Sequence, residues 1–142
     1  MPLRRLTMTA LAVLMACGVL AATASPGSAD PGGPERRYCS SWQYQYNFRN
    51  RACVTFYASS VYHEFETNYL GSGTVYLYHK ALEYQIAGGG WTRCNDAWGE
   101  SYYSGQYRTL SCSTYRVSGI TYRTRGSQDD EYSWTYSPTS TG

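Results

Sequence analysis

The chain has 142 residues, of which 15% are charged and 16% aromatic, with 12 Lys and Arg against 10 Asp and Glu. An N-terminal run carries two of the arginines, and beyond it the charges balance at 10 of each sign. That balance argues against nucleic acid and anionic membranes as main partners, because both require a surplus of basic charge.

Arg4 and Arg5 precede an apolar run from Leu11 to Ala24, and small residues close the segment at Gly27-Ser28-Ala29. This is the layout of a secretory leader over residues 1–29, cleaved before Asp30 or, alternatively, after Ala24. The apolar run is too short to span a membrane. A second reading makes Cys17 a lipoprotein cysteine, although Val19 to Ala22 continue the apolar core past it. The arginine pair alone is a weak signal for twin-arginine export. About 113 residues follow the leader, the size of one small domain.

Cys39, Cys53, Cys94 and Cys112 remain after the leader, an even number for an oxidising destination. Three connectivities are possible, and spacing favours Cys39–Cys53 with Cys94–Cys112, each pair flanking an expected hairpin. Loops of that length stabilise by about 3 kcal/mol per bridge. The cysteines lack the close pairing of zinc modules, and no metal or cofactor is expected.

Residues 30–37 carry prolines, glycines and charges and read as a flexible arm. A β-domain is expected over 38–136. Residues 41–46 alternate with Trp42, Tyr44 and Tyr46 on one face, and 47–51 read as a turn before a strand at 52–56. Residues 57–70 fit both periodicities, and β-branched and aromatic content favours a strand. Gly71-Ser72-Gly73 then turns into a strand over 74–87. Its apolar parity switches between Leu77 and Leu82, predicting a bulge near His79 to Ala81. A short strand at 91–94, a polar loop at 95–105, a strand at 106–112, and strands at 115–125 and 132–136 complete the set. A loose tail covers 137–142. The count points to a small all-β, immunoglobulin-like antiparallel sandwich of about seven strands with two disulfides.

All 16 tyrosines and 4 tryptophans follow the leader. A domain this small has little interior, so part of that aromatic area must lie on the surface. Tyrosine can simply replace aliphatics on a sheet, or it can supply rigid, amphipathic binding area at low entropic cost. Trp98, Tyr102 and Tyr103 are the clearest candidates for the second role. With a single lysine, Lys80, among the basic residues beyond the leader, arginine also favours a recognition surface.

Catalytic motifs are missing: there is no nucleophile elbow and no phosphate-binding glycine loop. His63-Glu64 lacks the second histidine of a zinc-protease helix. His63 and His79 with Glu64 or Glu66 form a conceivable metal pair, and exposed strand positions are the simpler reading. Glu64, Glu66, Glu83, Asp96 and Glu100 offer carboxylates for glycoside hydrolysis, a role that geometry alone decides. Asp129-Asp130-Glu131 reads as a solvated turn, with weak calcium binding as the alternative.

Cys39-Ser40-Ser41-Trp42-Gln43-Tyr44, closed by Cys53, resembles the first disulfide hairpin of tendamistat-type α-amylase inhibitors, small secreted streptomycete β-sandwich proteins. The resemblance covers about fifteen residues. In that family a Trp-Arg-Tyr triplet enters the enzyme's cleft, which would correspond here to Trp42, Gln43 and Tyr44, with glutamine in place of the central arginine. The resemblance implies a bacterial secretory origin and a sandwich fold.

The function expected is a non-enzymatic extracellular module that binds another secreted protein, as an adaptor or subunit of an assembly. Inhibition of a secreted hydrolase and binding of a polysaccharide are the alternatives. Trp42, Gln43, Tyr44, Trp98, Tyr102 and Tyr103 are the candidate contact residues.

Overall fold

The computed structural model describes residues 34–129 and 133–142, which form ten β-strands. The leader and most of the expected arm lie outside the described residues. The strands are β1 (Arg36–Cys39), β2 (Gln43–Gln45), β3 (Phe48–Phe56), β4 (Ser60–Tyr69), β5 (Thr74–Ile86), β6 (Thr92–Tyr103), β7 (Tyr107–Tyr115), β8 (Thr121–Gln128), β9 (Thr135–Tyr136) and β10 (Ser140–Thr141).

They make two antiparallel sheets packed face to face. In the first, β1 and β2 lie in succession along one side of β3, followed by β4 and β7. In the second, β9 and β10 lie along β8, followed by β5 and β6. The chain therefore makes β3 and β4 in one sheet, β5 and β6 in the other, then returns for β7 and crosses again for β8. These crossings make an antiparallel β-sandwich, of ten described strands rather than the seven expected.

Alternation explains the burial. Along β4, Val61, His63, Phe65, Thr67 and Tyr69 turn inward, opposite Phe56, Val54, Ala52, Asn50 and Phe48 of β3. The interior falls into three small clusters rather than one. Val54, Phe56, Val61 and Tyr122 form one, Phe65, Leu82 and Leu110 the second, and Phe48, Tyr69, Leu77 and Tyr102 the third. At Gly126 the second sheet approaches so closely that a Cβ would lie 2.1 Å from the Phe65 ring. Only glycine fits there.

Both disulfides pair as the spacing indicated. Cys39–Cys53 links register partners on neighbouring strands β1 and β3. Cys94–Cys112 does not close a hairpin: β6 and β7 belong to different sheets, so this bridge ties the two sheets together along one side. Two disulfides suit an extracellular or otherwise oxidising environment. Among the described residues, no helix is long and apolar enough to cross a membrane.

Several expected boundaries are corrected. The turn expected at 47–51 contracts to Tyr46-Asn47, and Phe48 already pairs with Gln45. The loop expected at 95–105 is strand β6, paired with β5 from Thr92 to Tyr103. Its alternation is hidden by a register shift opposite Leu82/Glu83 and by Gly99 at φ +67°. Arg36 and Arg37, expected in the arm, pair with Phe56 and Thr55. The expected tail supplies β10, and Gly142 exchanges backbone bonds with Gly119 and Ile120. The parity switch on β5 is anchored at Tyr78-His79, whose two N–H groups both donate to Asp129 Oδ1 at 2.8 and 3.2 Å. The register shift itself falls between Leu82 and Glu83, just beyond the expected His79 to Ala81. Asp130 and Glu131 lie outside the described residues.

His63 sits fully buried between the sheets, hydrogen-bonded to Thr124 Oγ1 at 2.8 Å and Thr114 Oγ1 at 3.1 Å, and stacked on Tyr84. Burial lowers its pKa to about 3, so the imidazole is neutral in the folded state. The unfolded chain takes up this proton near pH 6.5, so His63 favours folding above that pH and the contribution disappears as pH falls toward 3. Between pH 6 and 5, unfolding free energy should fall by about 1.4 kcal/mol per pH unit. Urea titration across that interval measures the slope, and a flat profile would contradict a buried neutral His63.

Candidate functional site

The outward faces of both sheets are occupied largely by the protein's own arginines. On the first sheet the guanidiniums of Arg49 and Arg51 lie 4.7 and 4.4 Å from the Trp42 ring. Glu66 bonds both Arg37 and Arg51, and Glu64 accepts from Thr55 at 2.6 Å and pairs with Arg37 at 3.2 Å. On the second sheet Glu83 joins Arg93 and Arg125, and Arg125 stacks against Trp91 and Trp134 at 4.4 and 4.1 Å. Arg123 lies over Tyr136, which packs edge-on against Trp91. Every arginine from Arg36 to Arg125 stacks on a ring or bonds a carboxylate. The arginines act as internal fastening of the sheet faces.

The carboxylates considered for catalysis are engaged in the same way. Burial works to raise the Glu66 pKa, and hydrogen bonds from Arg51, Tyr107 and Arg37 overcome it, leaving the group below its ordinary value. Glu100 shows the same balance: burial opposes the charge, and Lys80 at 2.6 Å with Arg108 at 3.1 Å holds it ionised. Lys80 itself is buried, and desolvation lowers its pKa despite Glu100. Asp96 is lowered by Arg93 and His79 against a smaller solvent-excluding surround than Glu66 has. Carboxylates held ionised by arginine are poor proton donors. His63 and His79 do not converge: His63 faces the interior, while His79 stacks on Trp98 with ring centroids 4.0 Å apart.

Three exposed tyrosines without an arginine on the ring, Tyr44, Tyr46 and Tyr103, lie toward one end of the sandwich. Three turns meet there. The β2–β3 turn, Tyr46-Asn47, bonds the β4–β5 turn through Leu70 N–H to Asn47 O at 2.7 Å. The β4 end in turn exchanges backbone bonds with the β6–β7 turn, Tyr69 N–H to Gln106 O and Gly105 N–H to Tyr69 O, and Asn68 Nδ2 donates to Gly105 and Gln106. Beneath them lies the Phe48, Tyr69, Leu77 and Tyr102 cluster, with Phe48 5.0 Å from Tyr69 and 5.3 Å from Tyr102. Tyr44, Tyr46, Leu70 and Tyr103 project from this base.

Tyr46 stands out among them. It is 89% exposed and has φ +52°, the left-handed conformation that two-residue hairpins require and that bulky residues avoid. Glycine or asparagine would make this turn more easily.

The candidate residues named from sequence are therefore dispersed. Gln43 and Tyr44 are exposed on β2, the latter at 70%, with Trp42 half-buried beside them under its arginines. Tyr103 is exposed at the same end of the sandwich. Trp98 is 71% exposed but lies on the outward face of β6 against His79, apart from the three turns. Tyr102 is fully buried, its hydroxyl bonded to Glu100, and burial raises its pKa. It is a core residue and presents no surface to a partner. Sequence reasoning did not single out Tyr46 or Leu70 as contact residues. The signal available for Tyr46 was a tyrosine at the tip of a hairpin, next to Asn47. Comparison with family models, with curated proteins and with solved structures finds no match.

Because the left-handed conformation costs L side chains about 1–2 kcal/mol, and glycine loses about 0.5–1 kcal/mol in chain entropy, Tyr46→Gly should stabilise the protein by up to about 1.5 kcal/mol. Thermal or urea unfolding measures this. Destabilisation of similar size would show that the Tyr46 ring supports the fold.

Proposed function

We propose that the protein is a non-enzymatic, secreted protein-binding module, an adaptor or subunit of an extracellular assembly, and that it engages its partner through Tyr44, Tyr46, Leu70 and Tyr103. The observation that carries this reading is Tyr46, a large side chain held in a strained conformation with its ring in solvent. Strain kept at a position that contributes little to the core points to a role outside the fold. Tyrosines on and beside short turns over a rigid aromatic base supply contact area with little ordering cost, as binding surfaces require. The ion-paired state of Glu66, Glu83 and Glu100 favours a non-catalytic role. Export through the leader at 1–29 accords with the two disulfides.

Two other occupants have their own support. Hydrolase inhibition, implied by the resemblance at Trp42-Gln43-Tyr44, is favoured by Arg49 and Arg51 standing over Trp42, which bring positive charge to a triplet lacking its central arginine. Polysaccharide binding is favoured by Trp98, an exposed ring backed by His79, on the face that also exposes Tyr76 and Tyr78.

Capture from native culture fluid, with mass spectrometry of the bound material, separates the three. The proposal expects a secreted protein partner whose affinity falls at least about 30-fold for Tyr44→Ala/Tyr46→Ala, a loss of about 2 kcal/mol at a contact hot spot. Trp98→Ala should bind as the native protein does. Capture of a hydrolase abolished by Trp42→Ala alone, or retention on polysaccharide reversed by free sugar, would replace this reading with the corresponding alternative.

A further inference from the structure

Each sheet has two outer edges, and three of the four are blunted. Along β3 and β8 the bordering strands are short and interrupted, with four, three, two and two residues. β6 is long, but it carries a register shift, Gly99 at positive φ, and the charges Arg93, Asp96 and Glu100. Bulges and charges are the usual protection of an edge. β7 is less protected: its one charge, Arg108, is bonded to Glu100, and β6 meets it only at the Cys94–Cys112 bridge and through Asn95. Its nine residues pair with β4 without a register shift, and contain no proline, glycine or lysine.

The register fixes which backbone groups of β7 are left for a neighbour. Arg116 N–H donates to Ser59 O and Gln106 O accepts from Tyr69 N–H, so even-numbered residues turn their backbone groups toward β4. The odd-numbered residues, Tyr107 to Tyr115, turn theirs toward the open side. Ser111 O already accepts from Asn95 Nδ2 at 2.7 Å, and Tyr115 O from the Tyr122 hydroxyl at 3.1 Å, which leaves each carbonyl a second lone pair. A cleft of about 630 Å³ opens beside this segment, lined in part by Tyr62, Tyr84, Ser111 and Ser113.

The sequence of the strand specifies the occupant. The odd-numbered residues Tyr107, Thr109, Ser111, Ser113 and Tyr115, which share one face of the strand, read nearly the same in both directions about Ser111, whereas the alternate residues Arg108, Leu110, Cys112 and Thr114 do not. We propose that two copies of this chain pair antiparallel through β7, with Ser111 on the twofold axis, so that the first sheet continues across the dimer. In that register tyrosine meets tyrosine at both ends, Thr109 meets Ser113, and Ser111 meets its own copy. Leu110 meets Cys112, and Arg108, already bonded to Glu100, meets Thr114 rather than another cation. An isologous interface requires this self-complementarity. Tyr107 and Tyr115, both exposed in the single chain, become an aromatic cross-strand pair. The surface is separate from Tyr44, Tyr46, Leu70 and Tyr103, so it stands or falls apart from the proposed function.

Sedimentation equilibrium of the folded, disulfide-bonded protein from micromolar to millimolar concentration tests the dimer. A concentration-dependent dimer is expected. Ser111→Lys, which sets two like charges opposite each other while leaving the backbone bonds to β4 intact, should weaken it by about tenfold or more, with an unchanged circular dichroism spectrum. Ser111→Cys supplies an independent readout, because directly opposed strand residues lie about 5.5 Å apart, within disulfide range. It should give a covalent dimer on mild oxidation. A protein that stays monomeric throughout and does not cross-link at position 111, or a dimer unaffected by Ser111→Lys, would overturn the proposal.

Discussion

The structure depends on one constraint: the two sheets enclose too little aliphatic surface to hold together by burial alone. Three small clusters share the interior with His63, Thr67, Lys80 and Thr124, each of which takes up space that a larger domain would give to leucine or valine. A domain of this size buries a modest fraction of its surface, and natural proteins of the kind add covalent links. Here one disulfide fixes a strand border and the other ties the two sheets along an otherwise open side. The outward faces add a further layer. Arginine is suited to this because its planar guanidinium can stack on an indole and bond a carboxylate at once, as Arg51 does between Trp42 and Glu66.

That arrangement separates two groups among the aromatic residues. Trp42, Trp91, Trp134 and Tyr136 lie against arginines and belong to the covering of the sheets. Tyr44, Tyr46 and Tyr103 have no such partner and stand on or beside turns braced by backbone bonds. The distinction matters because exposure alone does not identify a binding residue in a protein so rich in tyrosine. A ring that fastens the sheet and a ring that awaits a partner differ in what lies on their faces.

The sequence was informative where a side chain determined the outcome. The cysteine pairing followed from loop length, β4 from β-branched and aromatic content, and the irregularity of β5 from the change of parity between Leu77 and Leu82. It was uninformative where backbone bonds decided. β10 and the first residues of β1 are held by main-chain pairing that any side chain permits, so neither had a compositional signature. β6 was obscured because a register shift and Gly99 each reset its alternation. Reading that segment as a loop also removed the parity that separates Tyr102 from Tyr103. Once it is a strand, neighbours must face opposite ways: Tyr102 enters the core and Tyr103 faces solvent. Trp42, Tyr44 and Tyr46 alternate as expected until Tyr46 leaves the strand to make the turn, which is what frees its ring.

The division between fastening and free rings is tested most directly by tyrosine nitration with mass spectrometry, performed on the protein alone and in complex with its captured partner. The account predicts rapid modification of Tyr44, Tyr46 and Tyr103 in the free protein, none at Tyr69, Tyr102 or Tyr122, and protection of the first three in the complex. Unchanged reactivity of Tyr44, Tyr46 and Tyr103 in the complex, with protection at Tyr76 and Tyr78 instead, would contradict it.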